Sequence, residues 1–535
     1  MFARIRTIFL FFSFLILIPF AAPADAGAAD DDEWGAPAVE QSSINARDEE
    51  ARRRLMEIET WRMKLEAKIA KDVEETAEKV KFDFQIKYKA RFNSRDNLHL
   101  NNPGQFWAFD NSSFFDQRFQ LGVSAEYGPL SSVFVMDKGN FVFDWKEGSE
   151  GTLERWGEFT TVTSPLIREL YAQYTGPFVV KAGRQTIILG NGGIVFEGPV
   201  DALKVTYPLG RTPIGNISAT AAYLAVSGGF SDYADFLKTG PPAGDRSALL
   251  GLANKLDGLL LRFDVKPNRN FTLTPYALKV FDRGGLGEGD PDLNLDRDFD
   301  AATVPRDGNF QPLWAGSALS GRVGKFTYLG DAMYLTGPFT DTRDIKAYAV
   351  IARGDYHFEE VGPLERFSLG IELGRGSGNT AEERLSGTGD SNDFIALFTC
   401  KERRKFGNIF SEDLRAGFFF ADSNLANVTF ARAIAEFEPV EGLKTYLSLA
   451  KLWTTERVFE GRGPVGDWSS GAATTTDKTR DIGWEVDLNF EYPMLKRLRG
   501  FAEFGYFVPG DAYKRADGRD ADPAKEIVLG AEFLF

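Results

Sequence analysis

Residues 527–535 carry apolar side chains at every second position, namely Ile527, Leu529, Ala531, Phe533 and Phe535. Because successive side chains of a β-strand point to opposite faces, one face of this strand is apolar along its whole length. Such an edge promotes aggregation in water, unless the strand closes a barrel in lipid. The pattern therefore predicts the closing strand of a membrane-spanning β-barrel. An ordinary amphipathic strand is the alternative that this segment alone leaves open.

The N-terminal residues predict export. Arg4 and Arg6 precede a short apolar run over residues 8–20, and the small-residue pattern Ala24-x-Ala26 follows it. This order is typical of a secretory signal peptide, which we place at residues 1–26. The run is shorter than the roughly 20 apolar residues that a membrane-spanning helix needs. Residues 27–44 are acidic and rich in small side chains, and predict a flexible leader.

Residues 45–80 predict a helix on the periplasmic side or in the lumen. Its apolar side chains recur at steps of three, four or seven, which is the helical period: Leu55, Ile58, Trp61, Leu65, Ile69, Val73 and Val80. The stripe is narrow and short for a coiled coil. Three roles stay open: a coiled coil that joins protomers into a homo-oligomer, a plug in the lumen, and a helix against the barrel rim.

From Lys81 the apolar period changes from helical to two. Apolar residues alternate with polar ones at both ends of this region: Phe82, Phe84, Ile86, Tyr88, Ala90 and Phe92, then Ile482, Trp484, Val486, Leu488, Phe490 and Tyr492. Segments of about ten alternating residues cross a bilayer when tilted. Short Gly/Pro turns alternate with longer polar loops. Because the first strand starts from the short-turn side, the first and the last residues of the barrel are expected in the periplasm. Residues 81–535 therefore predict an all-β fold, a transmembrane antiparallel up-and-down β-barrel of about 18 strands (16–20), although turn spacing alone gives roughly twenty.

Composition limits the classes of function. The formal net charge of −15 argues against a nucleic-acid partner, which requires a basic surface. Cys400 is the single cysteine, so neither an internal disulfide nor a cysteine-based metal cluster can form. His99 and His357 are the only histidines, and their placement suggests no hydrolase site. The acidic loop 288–300 has the alternating oxygens of a calcium loop but lacks its Gly and its closing Glu, which favours a solvated loop and leaves calcium binding open.

Charged residues at the polar strand positions are candidates for the lumen. The basic candidates are Lys87, Lys89, Arg91, Arg118, Arg184, Arg262, Arg353, Arg366 and Arg415, and the acidic ones are Asp116, Asp264, Glu372, Glu485 and Asp487. Lys87, Lys89 and Arg91 occupy successive polar positions and predict a basic strip on one wall. The acidic residues near the end of the chain predict a facing wall, and hence a transverse field. Each residue is either a solute contact or a member of a structural network.

Arg184 needs a special conformation to face the lumen. Two apolar pairs of opposite parity follow each other on its strand: Val180 and Ala182, then Ile187 and Leu189. Because a continuous strand cannot place both pairs in lipid, we expect a bulge near Gly183 that turns Arg184 inward. An inward guanidinium could bind carboxylate or phosphate. A rim arginine in a salt bridge is an equal alternative.

Several short motifs carry a family resemblance. Residues 169–174 (ELYAQY), 179–185 (VVKAGRQ), 190–193 (GNGG), 481–488 (DIGWEVDL) and 505–511 (GYFVPGD) resemble the alginate-export family of outer-membrane β-barrel porins. The similarity extends over residues 81–535 and leaves out the N-terminal helix. It implies an eighteen-stranded barrel that passes an anionic polysaccharide, such as alginate, through a pore lined by arginine and lysine. The terminal Phe535 also resembles the assembly signal of such barrels, which implies the barrel-assembly machinery as a partner.

These observations predict a bacterial outer-membrane channel in contact with lipid, without catalysis and without a cofactor or metal. Passage is passive, and gradients or periplasmic export partners set its direction. The favoured solutes are anionic or polar, and a general or small-anion-selective porin is the alternative. A barrel hydrolase is disfavoured by the scarcity of histidine. An adhesion or anchoring protein is disfavoured by loops that are small relative to the strands.

Overall fold

The computed structural model describes residues 60–66, 68, 80–101, 112–142, 166–191, 194–225, 256–282, 311–339, 343–359, 361–362, 364, 366–386, 389–396, 407–410, 425–465 and 476–535. The predicted signal peptide, the leader, the acidic segment 288–300 and Arg415 lie outside these residues.

Eighteen strands make up almost all of the described chain. They are β1 (Lys81–Asp96), β2 (Ser112–Tyr127), β3 (Leu130–Val142), β4 (Leu166–Thr175), β5 (Val179–Leu189), β6 (Phe196–Thr212), β7 (Gly215–Ala225), β8 (Leu256–Asn268), β9 (Phe271–Asp282), β10 (Leu313–Val323), β11 (Phe326–Pro338), β12 (Asp344–Phe358), β13 (Phe367–Gly376), β14 (Val428–Phe437), β15 (Lys444–Phe459), β16 (Lys478–Leu495), β17 (Leu498–Pro509) and β18 (Ala524–Leu534). One short helix, α1 (Ala381–Ser386), and a 3-10 turn (Asp511–Tyr513) lie in the connections.

The strands form one closed antiparallel barrel in which each strand pairs with its neighbours in sequence. Closure is made by β1 and β18, whose register runs from Lys87 opposite Leu534 to Asp96 opposite Lys525. The backbone N–H of Phe535 adds a hydrogen bond of 2.8 Å to the carbonyl of Ile86. A closed barrel satisfies the hydrogen bonds of both edge strands, which is the condition for strands to cross a bilayer. The predicted up-and-down barrel of about 18 strands is thus confirmed.

Alternation along the strands assigns an outward and an inward face. In β13, Ser368, Gly370 and Glu372 are buried, whereas Leu369 and Ile371 are exposed. β18 follows the same rule, because Ile527 and Leu529 point outward as predicted. The outward face is therefore the apolar surface that lipid covers, and the inward face lines the lumen.

The two ends of the barrel differ in their connections. The turn end carries short connections such as residues 128–129, 176–178 and 324–325, together with the start of β1 and the end of β18. The loop end carries the long connections, of which 377–427 between β13 and β14 is one. In an outer-membrane barrel the turn end is periplasmic. Turn spacing, which gives roughly twenty strands, overestimated the strand number, because the closed barrel has eighteen.

Near the loop end, the inward faces of β5 to β12 are apolar. Leu189, Leu224, Leu278, Trp314 and Leu335 are almost completely buried there. They pack against segments of the connections that fold into the barrel, including residues 194–196 and 394–395, all within one hydrophobic cluster. An indole hydrogen bond of 2.9 Å from Trp314 to the carbonyl of Ile395 anchors one of these segments. The loop-end half of this wall is thus a packed core rather than a polar pore.

The N-terminal residues form a unit separate from the barrel unit, which begins at Lys79. Residues 60–66 are helical, and Arg62 forms an ion pair of 2.9 Å with Glu66 one turn later. The rest of the predicted helix 45–80 lies almost entirely outside the described residues, so its length and role stay predictions. No helix in the described part of the chain is both long and apolar enough to cross a bilayer.

Candidate solute path

The predicted basic strip of β1 faces the lumen. Lys87, Lys89 and Arg91 share the inward parity of the buried Asn93. Arg118 of β2 lies directly opposite Lys89 and extends the strip to a second strand. The ammonium of Lys89 also lies 4.8 Å from the centre of the Phe501 ring on β17, a cation–π contact. The structure therefore brings these four predicted cations together.

A chain of ion pairs crosses the seam of the barrel beside this strip. Glu491 lies 3.3 Å from Lys444 and 2.9 Å from Arg499, measured between nitrogen and oxygen. Glu532 in turn lies 2.8 Å from Arg499 and 2.9 Å from Lys87. Closure thus places the acidic residues of β16 and β18 next to the basic strip. The prediction of an acidic wall that faces the strip is wrong, because a barrel makes the two ends of its chain neighbours.

A second basic group lies on β5, β6 and β8. Lys181 is directly opposite Lys204 in the β5–β6 register, and both face inward. Lys181 and Arg262 lie close enough to Lys204 to repel its charge, and Glu169 is the nearby anion. The ammonium of Lys181 stands 3.4 Å from the centre of the Tyr171 ring, and Arg262 pairs with Asp264 at 2.6 Å.

Lys181 and Lys204 were missed by the sequence analysis. Their inward orientation follows once Ile187 and Leu189 are assigned to the inward face. Lys181 lies at even steps from both along β5, and Lys204 is its partner on β6. That assignment requires an apolar core inside the lumen, which alternation alone does not reveal. We refer to Lys181, Lys204 and Arg262 as the second basic wall.

Arg184 faces outward, contrary to the expected bulge. The register runs unbroken through Gly183 in both the β4–β5 and the β5–β6 pairs, and Arg184 lies opposite Leu170 and Asp201. Leu170 is 46% exposed on the lipid side, and the guanidinium of Arg184 lies 3.6 Å from the carboxylate of Asp201. The structure thus favours the alternative in which Arg184 forms a salt bridge, here on the outward face of β5.

The physical reason lies in the neighbouring strand and in the core. The bulge occurs in β4, where the register with β3 shifts between Glu169 and Ile167. Gly183 has φ of +115° without a bulge, and a Cβ there would lie 2.3 Å from the carbonyl oxygen of Leu170, so only glycine fits. Ile187 and Leu189 need no lipid contact because they are buried in the hydrophobic cluster that includes residues 194–196.

Two further predicted cations, Arg353 and Arg366, are held in ion pairs. Arg353 contacts both carboxylate oxygens of Asp355 at 2.9 Å and reaches Glu436 at 2.7 Å. Arg366 is largely exposed in the turn before β13, 3.3 Å from Glu438, and thus belongs to the turn end. Arg415 lies outside the described residues. Arg353 is better described as part of a structural network than as a solute contact.

The predicted acidic residues of the lumen are also engaged. Glu372 of β13 forms a buried ion pair with Arg432 of β14. Glu485 and Asp487 are fully buried under residues 407–410, which fold in from the connection between β13 and β14. The prediction that they contact solute directly does not fit this geometry, because the backbone of residues 408–410 donates hydrogen bonds to their oxygens.

The GNGG motif of the sequence has a structural role at its first two residues. After β5 the chain crosses to β10 and β11, where the backbone N–H of Asn191 donates to Asp331 at 2.9 Å. The Asn191 amide also donates to the carbonyl oxygens of Leu319 and Gly330, both at 2.9 Å. This crossing narrows the lumen near the middle of β10 and β11.

Polar pairs at the loop end tie its connections together. Asn97 donates to the carbonyl of Asp522 at 2.6 Å, and Asn101 donates to the Asp522 carboxylate at 3.0 Å. Lys514 pairs with Glu460 at 3.0 Å, and this hydrogen bond raises the pKa of the Lys514 ammonium above its ordinary value. No group of acidic, histidine or cysteine side chains in the described ranges is arranged to hold a metal ion.

The closed barrel with its charged lumen defines an outer-membrane channel for polar or anionic solutes. The family described as "Alginate export" matches residues 261–525, which run from β8 into β18. This match confirms the resemblance to the alginate-export family of outer-membrane β-barrel porins. No curated protein matches the chain.

Solved structures of Pseudomonas aeruginosa outer-membrane proteins are similar to the chain. OccK11 (OpdR) is 13% identical, with 86% of this chain and 96% of that chain covered and a TM-score of 0.45. OccK8 (OprE) is 11% identical, with 85% and 98% covered and a TM-score of 0.46. The outer membrane protein OpdK is 12% identical, with 85% and 99% covered and a TM-score of 0.46.

Proposed function

We propose that the channel passes an anionic polysaccharide whose charges are carboxylates, as in alginate. The observation that carries the proposal is the second basic wall, where Lys181 and Lys204 lie opposite each other with Arg262 nearby. Like charges brought together on a lumen wall attract anions, since the low-dielectric barrel focuses their field. The basic strip of Lys87, Lys89, Arg91 and Arg118 adds positive charge on another wall.

Passage along these walls is passive in this proposal. Side chains two residues apart on a strand are about 6.6 Å from each other, which is within the Debye length of about 8 Å at physiological salt. A carboxylate therefore leaves one cation while it is already attracted by the next, and no single site traps it. No catalytic step is part of this function, and the lipid-facing strands and the lumen supply all that it needs.

A general porin is the second candidate, and the ion pairs of the lumen favour it. Arg353, Lys87 and Arg499 all have carboxylate partners, which lowers the net positive charge of the path. A neutralised lumen passes small solutes of either sign. Transport of a polyanion instead requires the second basic wall to act as a unit.

Block of the ion current by polyuronate oligomers tests the proposal. In lipid bilayers that contain the reconstituted protein, we expect oligouronates to interrupt the current of a small anion at concentrations at least about tenfold lower than neutral oligosaccharides of equal length. Higher salt should weaken the block, because salt screens exposed charges. Equal block by charged and neutral oligomers would contradict polyanion transport and favour the general porin.

A further inference from the structure

Residues 407–410, which we call the docked turn, form a compact structure inside the barrel. The backbone N–H of Gly407 donates to the carbonyl of Phe410 at 3.2 Å and closes the turn. The turn belongs to the connection between β13 and β14, yet it contacts β16 and β17. It therefore lies within the ring of strands.

Two buried carboxylates hold the docked turn through its backbone. Glu485 accepts the N–H groups of Ile409 at 2.6 Å and of Phe410 at 2.9 Å. Asp487 accepts the N–H of Asn408 at 3.0 Å and the hydroxyl of Ser448 at 2.8 Å. Three consecutive amides thus point at two carboxylates that are 0% and 1% exposed. A buried N–H group that loses its acceptor is costly, so these hydrogen bonds hold the turn in place.

The surface under the docked turn is shaped to receive it. A Cβ on Gly505 would lie 3.0 Å from the Cβ of Asn408, so this glycine makes the close approach possible. The Asn408 amide donates to Asn489 at 2.8 Å and to the carbonyl of Phe504 at 3.0 Å. The ring of Phe410 packs 5.9 Å from that of Phe507.

These contacts explain residues that passage of solute leaves unexplained. Glu485, Asp487 and Asn489 share the inward parity of β16, as Gly505 and Phe507 do on β17. Four of these five lie in the motifs 481–488 and 505–511 that carry the family resemblance. The two carboxylates are buried in the lumen and accept hydrogen bonds from loop amides. They therefore hold the loop in place and do not contact the solute.

We propose that Glu485 and Asp487 form a latch, and that the docked turn is a plug whose release widens the channel. The docked turn occupies part of the lumen cross-section beside β16 and β17, so the latched state conducts less than the released state. The latch rests on a few buried hydrogen bonds. Removal of one such bond is expected to shift the balance between the two states by about tenfold. The device regulates the channel and does not depend on which solute passes.

A cysteine pair tests the latch directly. In a Cys400→Ser background, Asn408→Cys and Gly505→Cys place two Cβ atoms at a separation close to the 3.5–4.5 Å of a disulfide, after a small shift. We expect the folded protein to cross-link readily under mild oxidation, which is visible in gels and needs no channel activity. Oxidised channels should stay in the low-conductance state, and reduction should restore switching to a higher one.

The carboxylates are tested in the same background. Glu485→Gln and Asp487→Asn should each slow the cross-linking about tenfold and lengthen the high-conductance dwell times, because an NH2 donor replaces one of the two accepting oxygens at each position. Gly505→Ala, made in the protein without the cysteine pair, should also lengthen the high-conductance dwell times, since its methyl group meets Asn408 and Ile409 at 3.0 Å. Gly122→Ala, at another lumen position where the new methyl has ordinary room at 3.6 Å, is the matched control.

Two results would overturn the latch. The first is a folded cysteine variant that does not cross-link, which would mean that the turn does not dock as described. The second is a cross-linked channel with the same conductance before and after reduction, which would mean that the turn docks without narrowing the path. The cysteine pair keeps both carboxylates, so it decides the matter even where a carboxylate variant fails to assemble.

Discussion

Replacement of Lys181 and Lys204 by Gln is expected to lower the anion-to-cation permeability ratio of the channel by about tenfold or more. The two ammonium groups lie opposite each other on β5 and β6, and Arg262 adds to their field. Their removal leaves Glu169 together with Arg262, which is paired with Asp264, so this wall loses its net positive charge. The ratio is obtained from the reversal potential of the reconstituted double variant in a salt gradient.

A matched control separates the lumen from total charge. Lys346 and Lys451 lie on outward positions of β12 and β15 and carry the same charge as the lumen pair. Lys346→Gln with Lys451→Gln should leave the permeability ratio unchanged, because lipid-side charges do not line the path. An equal shift in both double variants would mean that overall charge, rather than the second basic wall, sets selectivity.

Replacement of Arg432 by Met is expected to destabilise the barrel by about 3 kcal/mol. Arg432 and Glu372 form an ion pair in which both side chains are buried. Loss of the guanidinium leaves a buried carboxylate without its partner, and the neighbouring Arg353 is already held by Asp355 and Glu436. The temperature at which the folded band converts to the unfolded band in gels should fall accordingly.

The double variant Arg432→Met with Glu372→Leu should recover most of that loss. Burial of two apolar side chains in place of an ion pair is often neutral or stabilising, since the desolvation cost of both charges disappears. A double variant as unstable as the single one would show that Arg432 acts through its packing rather than through its charge.

The sequence predicted the barrel because the information is local. Alternation at β1 and β18 gives the lipid-facing side of a strand without knowledge of its neighbours, and the structure confirms Ile527 and Leu529 as outward. The basic strip of β1 followed from the same rule. The ion pairs at the seam between β1 and β18 did not follow from it, because the pairing of Lys87 with Glu532 joins residues at opposite ends of the chain.

The other features of the lumen depend on tertiary contacts, which the alternation of apolar and polar residues does not reveal. Ile187 and Leu189 face inward because a connection folds back and covers them, so parity alone misassigned Arg184 and hid Lys181. Glu485 and Asp487 appeared as free lumen charges in the sequence, whereas the docked turn occupies their oxygens. In each case a loop-end segment enters the barrel, and its position is set by tertiary packing.

The reversal potential of the unmodified protein, reconstituted at low salt with a gradient across the bilayer, tests the central claim most directly. The two basic groups of the lumen predict a potential of the sign that anion permeation produces, and a decline of its magnitude as salt rises and screens the walls. A channel that is cation-selective under the same conditions would contradict the assignment of an anion path along Lys181, Lys204 and Arg262.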